Sequence, residues 1–156
     1  MICNLCASDN PAGTVTCKRC GKKLGKPCKR NNSPATVLLV EDNSYIRLMM
    51  QALLNLEGYT VIEAEDGVSG VDKAIEHNPD LILMDILLPL MNGVDAIAKL
   101  KQDPRTGHIP IIAVTCLDTK KDVIKAVQAG CDDYLKKPII PQALMEKIKK
   151  LLKSSR

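Results

Sequence analysis

From residue 36 onward, short apolar runs alternate with longer segments in which apolar residues recur at helical spacing. This alternation is typical of repeated βα units around a parallel sheet. The short runs are mostly apolar without a two-residue period, as expected for strands buried on both faces. They predict five strands, at residues 36–40, 59–64, 81–84, 111–115 and 133–135.

Each segment that follows a predicted strand has one apolar face, which predicts an amphipathic helix. Gly58 and Gly130 lie where helix ends favour a left-handed residue, and Asn43 or Ser44 can cap the first helix. We therefore predict an α/β fold, a five-stranded parallel sheet doubly wound by helices as (βα)5. The residues predicted to face the core are Ile46, Met49, Met50, Leu53 and Leu54; Val68, Val71 and Ile75; Val94, Ile97 and Leu100; Ile124 and Val127; and Leu144, Ile148, Leu151 and Leu152.

The first 35 residues differ in composition from the rest of the chain. They hold five of the seven cysteines, and seven Lys or Arg against one Asp, whereas residues 36–156 hold fifteen basic residues against seventeen acidic ones. The positive charge therefore belongs to the N-terminal piece. We predict a small metal-binding module at residues 1–24, a polar linker at 25–35 and the α/β domain at 36–156.

Composition excludes several classes of protein. No run approaches the roughly 18 apolar residues of a membrane span, and residues 1–10 lack the pattern of a signal peptide, so we predict a cytoplasmic protein. Phe and Trp are absent, which leaves almost no aromatic surface for stacking bases and argues against a reader of single-stranded nucleic acid.

Polar residues follow the predicted strands where a parallel sheet binds its ligands, outside the carboxyl ends. Glu41 and Asp42 follow the first strand, Asp85 the third, Thr115 ends the fourth, and Lys137 follows the fifth. Three converging carboxylates repel one another unless a cation joins them. Mg²⁺ suits such a site, because it takes one or two carboxylates, several waters and phosphate oxygens.

The same set of residues suits phosphoryl transfer. Asp85 follows a wholly apolar strand and is the candidate nucleophile, while the Thr115 hydroxyl and the Lys137 ammonium can contact phosphoryl oxygens. Each acidic residue taken alone could instead be a helix cap or a solvated loop residue. The order of the whole set favours the phosphoryl-transfer interpretation.

Residues 36–153 resemble the receiver domain of two-component response regulators, of the single-domain chemotaxis-regulator type. The resemblance implies a flavodoxin-like fold. It rests on Val40-Glu41-Asp42-Asn43, the stretch from Met84-Asp85 to Asn92-Gly93, Val114-Thr115, Gly130-Cys131-Asp132-Asp133-Tyr134 and Lys137-Pro138.

The resemblance implies that Asp85 accepts a phosphoryl group from a sensor histidine kinase or a phosphotransfer protein. Mg²⁺ is then held by Glu41, Asp42, Asp85 and the backbone carbonyl of Leu87. A receiver of this type is a phosphoacceptor rather than an enzyme. No output domain follows Arg156, so we expect signalling through contacts with a downstream protein.

The resemblance also implies a switch. Thr115 and Lys137 contact the phosphoryl group, Tyr134 turns inward, and the surface around the fourth helix, fifth strand and fifth helix changes state. The Lys137–Pro138 bond is expected to be cis. Leu87 and Leu117 are apolar where relatives can carry polar side chains that assist an attacking water, which predicts slow autodephosphorylation.

The N-terminal cysteines have the spacing of a four-thiolate zinc site. Cys3-x-x-Cys6 and Cys17-x-x-Cys20 are separated by ten residues, and residues 1–24 resemble the short bacterial zinc-ribbon family. We predict Zn²⁺ bound by these four residues, with Cys28 a spare thiol that could compete as a ligand. The alternatives are a disulfide framework, which is less suited to a cytosolic chain, and a redox switch.

Three functions compete. The leading hypothesis is a phosphorylation-controlled module whose zinc ribbon docks a partner protein. A nucleic-acid-binding regulator that uses the basic ribbon is the alternative, although no recognition helix follows the cysteines. A degenerate receiver kept as a scaffold is the third, and the intact set of Glu41, Asp42, Asp85, Thr115 and Lys137 argues against it.

Overall fold

The computed structural model describes residues 34–116 and 120–154, in which five strands alternate with five helices. The elements are β1 (Thr36–Val40), α1 (Ser44–Leu56), β2 (Thr60–Ala64), α2 (Gly67–His77), β3 (Leu81–Asp85), α3 (Gly93–Gln102), β4 (Ile111–Thr115), α4 (Lys120–Ala129), β5 (Asp133–Lys136) and α5 (Pro141–Ser154).

The strands form one parallel sheet in the order β2-β1-β3-β4-β5. The predicted (βα)5 fold is confirmed. The chain leaves β1 toward β2 on one side and then returns to place β3 on the other side. This reversal opens a crevice at the carboxyl ends of β1 and β3, where doubly wound sheets bind ligands.

The predicted strand bounds differ from the observed ones by one residue at most. Tyr59 was predicted to begin the second strand, but its amide donates to the carbonyl of Leu54 at 3.0 Å and so belongs to the turn after α1. Asp85 and Lys136 extend β3 and β5 by one residue each. The extension makes Asp85 the last residue of a strand in which every side chain is buried.

Helices cover both faces of the sheet, and strand residues alternate between two hydrophobic clusters. Leu38 and Val40 point toward α2, α3 and α4, whereas Val37 and Leu39 point toward α1 and α5. The buried helix residues that were predicted to face the core are Met50, Leu54, Val71, Ile97, Leu100, Leu144 and Ile148.

The predicted core face of α4 is wrong. Ile124 is 52% exposed and Val127 54% exposed, while Ala126 is buried and Ala129 packs against the core. The face of α4 that meets the core thus carries these alanines, and the larger side chains of Ile124 and Val127 face outward. Met49 and Val68, also predicted to face the core, are each more than a third exposed.

The predicted helix ends are confirmed. Asn43 caps α1, its side-chain oxygen accepting from the amides of Tyr45 at 3.0 Å and Ile46 at 3.2 Å. Gly58 follows α1 with φ of +84° and Gly130 follows α4 with φ of +103°, a region that favours glycine. None of the helices in the described part of the chain is long and apolar enough to cross a membrane.

Candidate functional site

The five parallel strands end at one edge of the sheet, and the candidate residues lie at the ends of four of them, β1, β3, β4 and β5. Asp85 pairs in register with Val114, and Thr115 with Lys136. Glu41 directly follows β1, and its amide donates to the carbonyl of Ala64 at 3.1 Å. The structure therefore brings together at this edge residues that are up to 96 positions apart in sequence.

Three carboxylates form the centre of this site. Oxygen atoms of Glu41, Asp42 and Asp85 all lie within 4.8 Å of one another. Glu41 is 1% exposed and Asp85 4% exposed, whereas Asp42 is open to solvent. The cluster therefore has two buried members and one at the mouth of the crevice.

Lys137 joins the two buried carboxylates. Its ammonium donates to Glu41 Oε2 at 2.7 Å and to Asp85 Oδ2 at 2.6 Å. Burial alone lowers the pKa of Lys137, but these two carboxylates outweigh it and raise the pKa above its ordinary value. Lys137 is therefore charged and placed beside the candidate nucleophile.

The Glu41 carboxyl group is the least satisfied member of the cluster. Burial raises its pKa, as does the nearby Asp85 charge, while the hydrogen bond from Lys137 opposes the rise. Its Oε1 atom is buried and has no hydrogen-bond partner among the residues that the structure describes. Such an atom costs free energy unless it gains a ligand.

The donor set fits a hard divalent cation. Carboxylate oxygens are ligands that Mg²⁺ prefers, and the exposed Asp42 leaves room for the waters that this ion retains. Glu41 and Asp85 supply buried oxygens on the other side of the cluster. The residues that could hold Mg²⁺ are thus those that the strand ends predicted.

The segment after β3 orients Asp85. The amide of Leu87 donates to Asp85 Oδ1 at 3.0 Å. Gly93, the first residue of α3, packs so tightly here that a Cβ atom would lie 1.9 Å from the carbonyl oxygen of Asp85. No side chain fits at position 93 without moving the backbone of the candidate nucleophile.

The remaining predicted residues lie on β4, on β5 and just beyond it. Thr115 is buried at the end of β4, and its carbonyl accepts from the amide of Lys137 at 2.8 Å. Tyr134 is 45% exposed, and Lys147 Nζ lies 5.6 Å from the centroid of its ring. The Lys137–Pro138 bond is cis, as the resemblance implied.

Some predictions concern residues outside the described part of the chain. Leu117 is one of them, and the other five are the proposed zinc ligands Cys3, Cys6, Cys17 and Cys20 and the spare thiol Cys28. Within the described residues, the sequence analysis missed Arg47, which contacts the backbone of Glu41 and Asp42. Its position one helical turn after the Asn43 cap, which directs it back toward the loop, was the available signal.

Comparisons with known proteins agree with this geometry. Residues 37–149 match the family model described as response regulator receiver domain. The polar-differentiation response regulator DivK of Brucella anthropi is 41% identical over 119 residues, covering 76% of this chain and 97% of that protein. DivK of Brucella ovis is 41% identical over 117 residues, covering 75% of this chain and 95% of its own length.

Solved structures show the same fold. A putative response regulator from Chloroflexus aurantiacus aligns with a TM-score of 0.74 and 32% identity, over 76% of this chain and 98% of that one. The receiver domain of a sensor histidine kinase from Pseudomonas aeruginosa PAO1 aligns with a TM-score of 0.73 and 33% identity, over 76% and 98% respectively. That structure has a magnesium ion coordinated in its active site cleft.

Proposed function

Since this chain belongs to the response regulator receiver domain family, we propose that it is a signalling phosphoacceptor whose phosphorylated residue is Asp85. One observation carries the proposal. Asp85 ends a buried strand beside two further carboxylates and the ammonium of Lys137, at the edge where a doubly wound sheet binds ligands.

The phosphoryl donor in this proposal is a phosphohistidine on a sensor histidine kinase or phosphotransfer protein. An oxygen of the Asp85 carboxylate attacks phosphorus, an O–P bond forms, and the P–N bond to the imidazole breaks with its electrons leaving on nitrogen. Mg²⁺ bound by Glu41, Asp42, Asp85 and the backbone carbonyl of Leu87 supplies neutralising charge.

Lys137 and Thr115 act on the transferred group. Lys137 already lies 2.6 Å from Asp85 Oδ2, so its ammonium can follow the negative charge onto the phosphoryl oxygens. The Thr115 hydroxyl offers a further donor from the adjacent strand. Tyr134, which is half exposed in this state, then turns inward as Thr115 moves toward the phosphate.

The signal in this proposal passes to a downstream protein. Ile124 and Val127 on α4 and Tyr134 on β5 expose apolar area on the surface that the switch changes. Exposed apolar side chains of this kind are suited to protein contacts. This arrangement supports signalling by docking.

Intact-protein mass spectrometry after incubation with acetyl phosphate and Mg²⁺ tests the proposal. We expect one phosphate-sized increment on the wild type and on Asp95→Asn, whose carboxylate lies on α3 outside the acidic cluster, and none on Asp85→Asn. Persistent full labelling of Asp85→Asn overturns the assignment. No increment on the folded, Mg²⁺-loaded wild type leaves two alternatives, a receiver that accepts phosphate only from its kinase or a fold kept as a scaffold.

We also propose that the phosphorylated form loses its phosphoryl group slowly. Leu87, two residues beyond Asp85, carries an apolar and exposed side chain that cannot orient an attacking water. After acetyl phosphate is removed by gel filtration, we expect the label to persist for minutes or longer. Loss of the label within seconds contradicts this proposal.

For the N-terminal piece we propose a Zn²⁺ site formed by Cys3, Cys6, Cys17 and Cys20, which the pairwise spacing supports. Native mass spectrometry of the full chain is expected to show one Zn²⁺, lost in a Cys17→Ser variant and kept in Cys28→Ser. Zinc retained by Cys17→Ser together with loss in Cys28→Ser would move the fourth ligand to Cys28.

For the N-terminal residues we propose docking to a partner protein. The alternative is nucleic-acid binding, which their basic charge supports. Binding of the full chain to duplex DNA, measured over a series of salt concentrations, separates the two. Strong binding that weakens steeply with salt, and that is absent from residues 34–156, favours the alternative. No such binding favours docking to a protein.

A further inference from the structure

Arg47 lies one turn into α1 and points back at the loop that carries two of the acidic residues. Its Nη1 donates to the carbonyl of Glu41 at 2.7 Å and to that of Asp42 at 3.3 Å. The side chain is largely buried, with 13% exposed. One guanidinium nitrogen therefore contacts the backbone of both residues.

The guanidinium also contacts two glutamates, one in β2 and one just after it. Its Nη2 donates to Glu65 Oε1 at 2.8 Å, and its Nε lies 3.7 Å from Glu63 Oε1. Glu63 is part of β2 and pairs in register with Leu39 of β1. The planar guanidinium thus connects the backbone of Glu41 and Asp42, which we call the acidic loop, to Glu65 just after β2. A lysine cannot make this set of contacts.

We propose that Arg47 is a positioning residue that holds the Glu41–Asp42 backbone in the conformation that binds Mg²⁺. The inference rests on the phosphoacceptor function proposed above. Mg²⁺ demands nearly ideal octahedral geometry, so its affinity depends on how closely the ligands are placed beforehand. Groups that orient metal ligands without touching the metal typically contribute a factor of about 10 to 100 in affinity.

Two other roles for Arg47 make different predictions. A through-space effect of its positive charge repels a cation, so removing the charge would tighten Mg²⁺ binding. A purely structural contact would lower thermal stability and leave Mg²⁺ affinity unchanged once the protein is folded. Positioning predicts weaker Mg²⁺ binding in a folded variant, so the sign of the change separates the three.

The experiment is isothermal titration calorimetry of the full chain with Mg²⁺, for wild type, Arg47→Met and Arg47→Lys. Arg105→Met is the matched control, because Arg105 is an exposed arginine paired with Asp103 in the turn after α3. We expect Mg²⁺ dissociation constants about tenfold higher for Arg47→Met, about threefold higher for Arg47→Lys and unchanged for Arg105→Met.

Labelling by acetyl phosphate provides the second measurement. At Mg²⁺ concentrations below the wild-type dissociation constant, the initial rate for Arg47→Met is expected to fall about tenfold, following the affinity. At saturating Mg²⁺ the rate returns to near the wild-type value, because Asp85, Thr115 and Lys137 are untouched. Asp85→Asn stays unlabelled at every Mg²⁺ concentration.

Unchanged or tighter Mg²⁺ binding by folded Arg47→Met overturns the inference. If that variant does not fold, Arg47→Lys decides, since it keeps the positive charge and loses the planar guanidinium. A dissociation constant about threefold higher supports positioning, and an unchanged one overturns it. A wild type that neither binds Mg²⁺ nor accepts phosphate overturns the proposed function and this inference together.

Discussion

Glu41 is a buried carboxylate whose second oxygen has no partner in the described part of the chain. Burial raises its pKa, so the folded state holds the proton of this group more firmly than the unfolded state does. Stability from this residue is therefore fully present below its ordinary pKa of 4.5 and is lost as pH rises through the raised value. At neutral pH without metal, the ionised Glu41 is therefore less favourable to folding than its protonated form.

Glu41→Gln is accordingly expected to stabilise the metal-free protein at pH 7.5. Removing one of the two buried carboxylate charges of the cluster is worth about 1 kcal/mol, or roughly 3–6 °C in the unfolding midpoint. The gain shrinks as pH is lowered toward 4.5, because the wild-type carboxyl, with its raised pKa, is increasingly protonated over this range. Thermal melts by circular dichroism in EDTA measure this effect, with the exposed Glu76→Gln as control. A lower midpoint for Glu41→Gln at pH 7.5 contradicts the argument.

Gly93 is constrained by the backbone beside it rather than by its own conformation. The added Cβ of Gly93→Ala would lie 1.9 Å from the Asp85 carbonyl oxygen, so we expect a loss of about 3 kcal/mol in the free energy of unfolding. Gly58→Ala is the comparison. It has no neighbour within 4 Å but a φ of +84°, and it should cost about 1 kcal/mol. Urea unfolding distinguishes them, and equal losses would show that the clash is relieved.

Among the elements, α1 serves both the core and the site. Its inner face packs Met50 and Leu54 against the sheet, while its first turn carries the Asn43 cap and Arg47 beside the acidic loop. Packing of the inner face therefore fixes the distance between the Arg47 guanidinium and the carbonyls that it contacts. The same helix thus packs against the core and contacts the loop that carries Glu41 and Asp42.

Substitutions at two leucines of α1, one buried and one exposed, test which face of the helix packs inward. Leu54→Ala is expected to cost about 3 kcal/mol, because it opens a cavity under a fully buried residue. Leu56→Ala, at a position 85% exposed, should change stability by less than about 0.5 kcal/mol. Chemical denaturation measures both. Similar losses in the two variants would mean that α1 packs with a different face inward.

At the scale of the whole molecule, both hydrophobic clusters and all five strands lie within residues 34–154. We therefore expect residues 34–156 alone to fold, with an unfolding midpoint within about 3 °C of the full chain, since this segment keeps every core residue that the structure describes. The shortened chain should also accept phosphate from acetyl phosphate at an unchanged rate. A midpoint lower by 10 °C would show that residues 1–33 contribute to the stability of the α/β domain.

The sequence alone was enough to predict the strands, the candidate site residues and several helix ends of this protein. Apolar runs without a two-residue period specify buried parallel strands, and the residues that end those runs specify the chemistry, because strand order and direction carry them to one edge. Glu41, Asp42, Asp85, Thr115 and Lys137 could therefore be named before any coordinates. The helix ends at Asn43, Gly58 and Gly130 followed from local backbone preferences.

Other features were decided only by tertiary structure. The apolar spacing of Ile124 and Val127 indicates a helix but not which side meets the core. In the structure, the side that carries Ala126 is the buried one. The contact of Gly93 with Asp85, and that of Arg47 with the acidic loop and Glu65, depend on segments that meet in space only after the sheet has formed. Periodicity and strand ends are local properties that can be recognised in a stretch of sequence. The contacts of Gly93 and Arg47 join segments that are distant in sequence, so no local pattern indicates them.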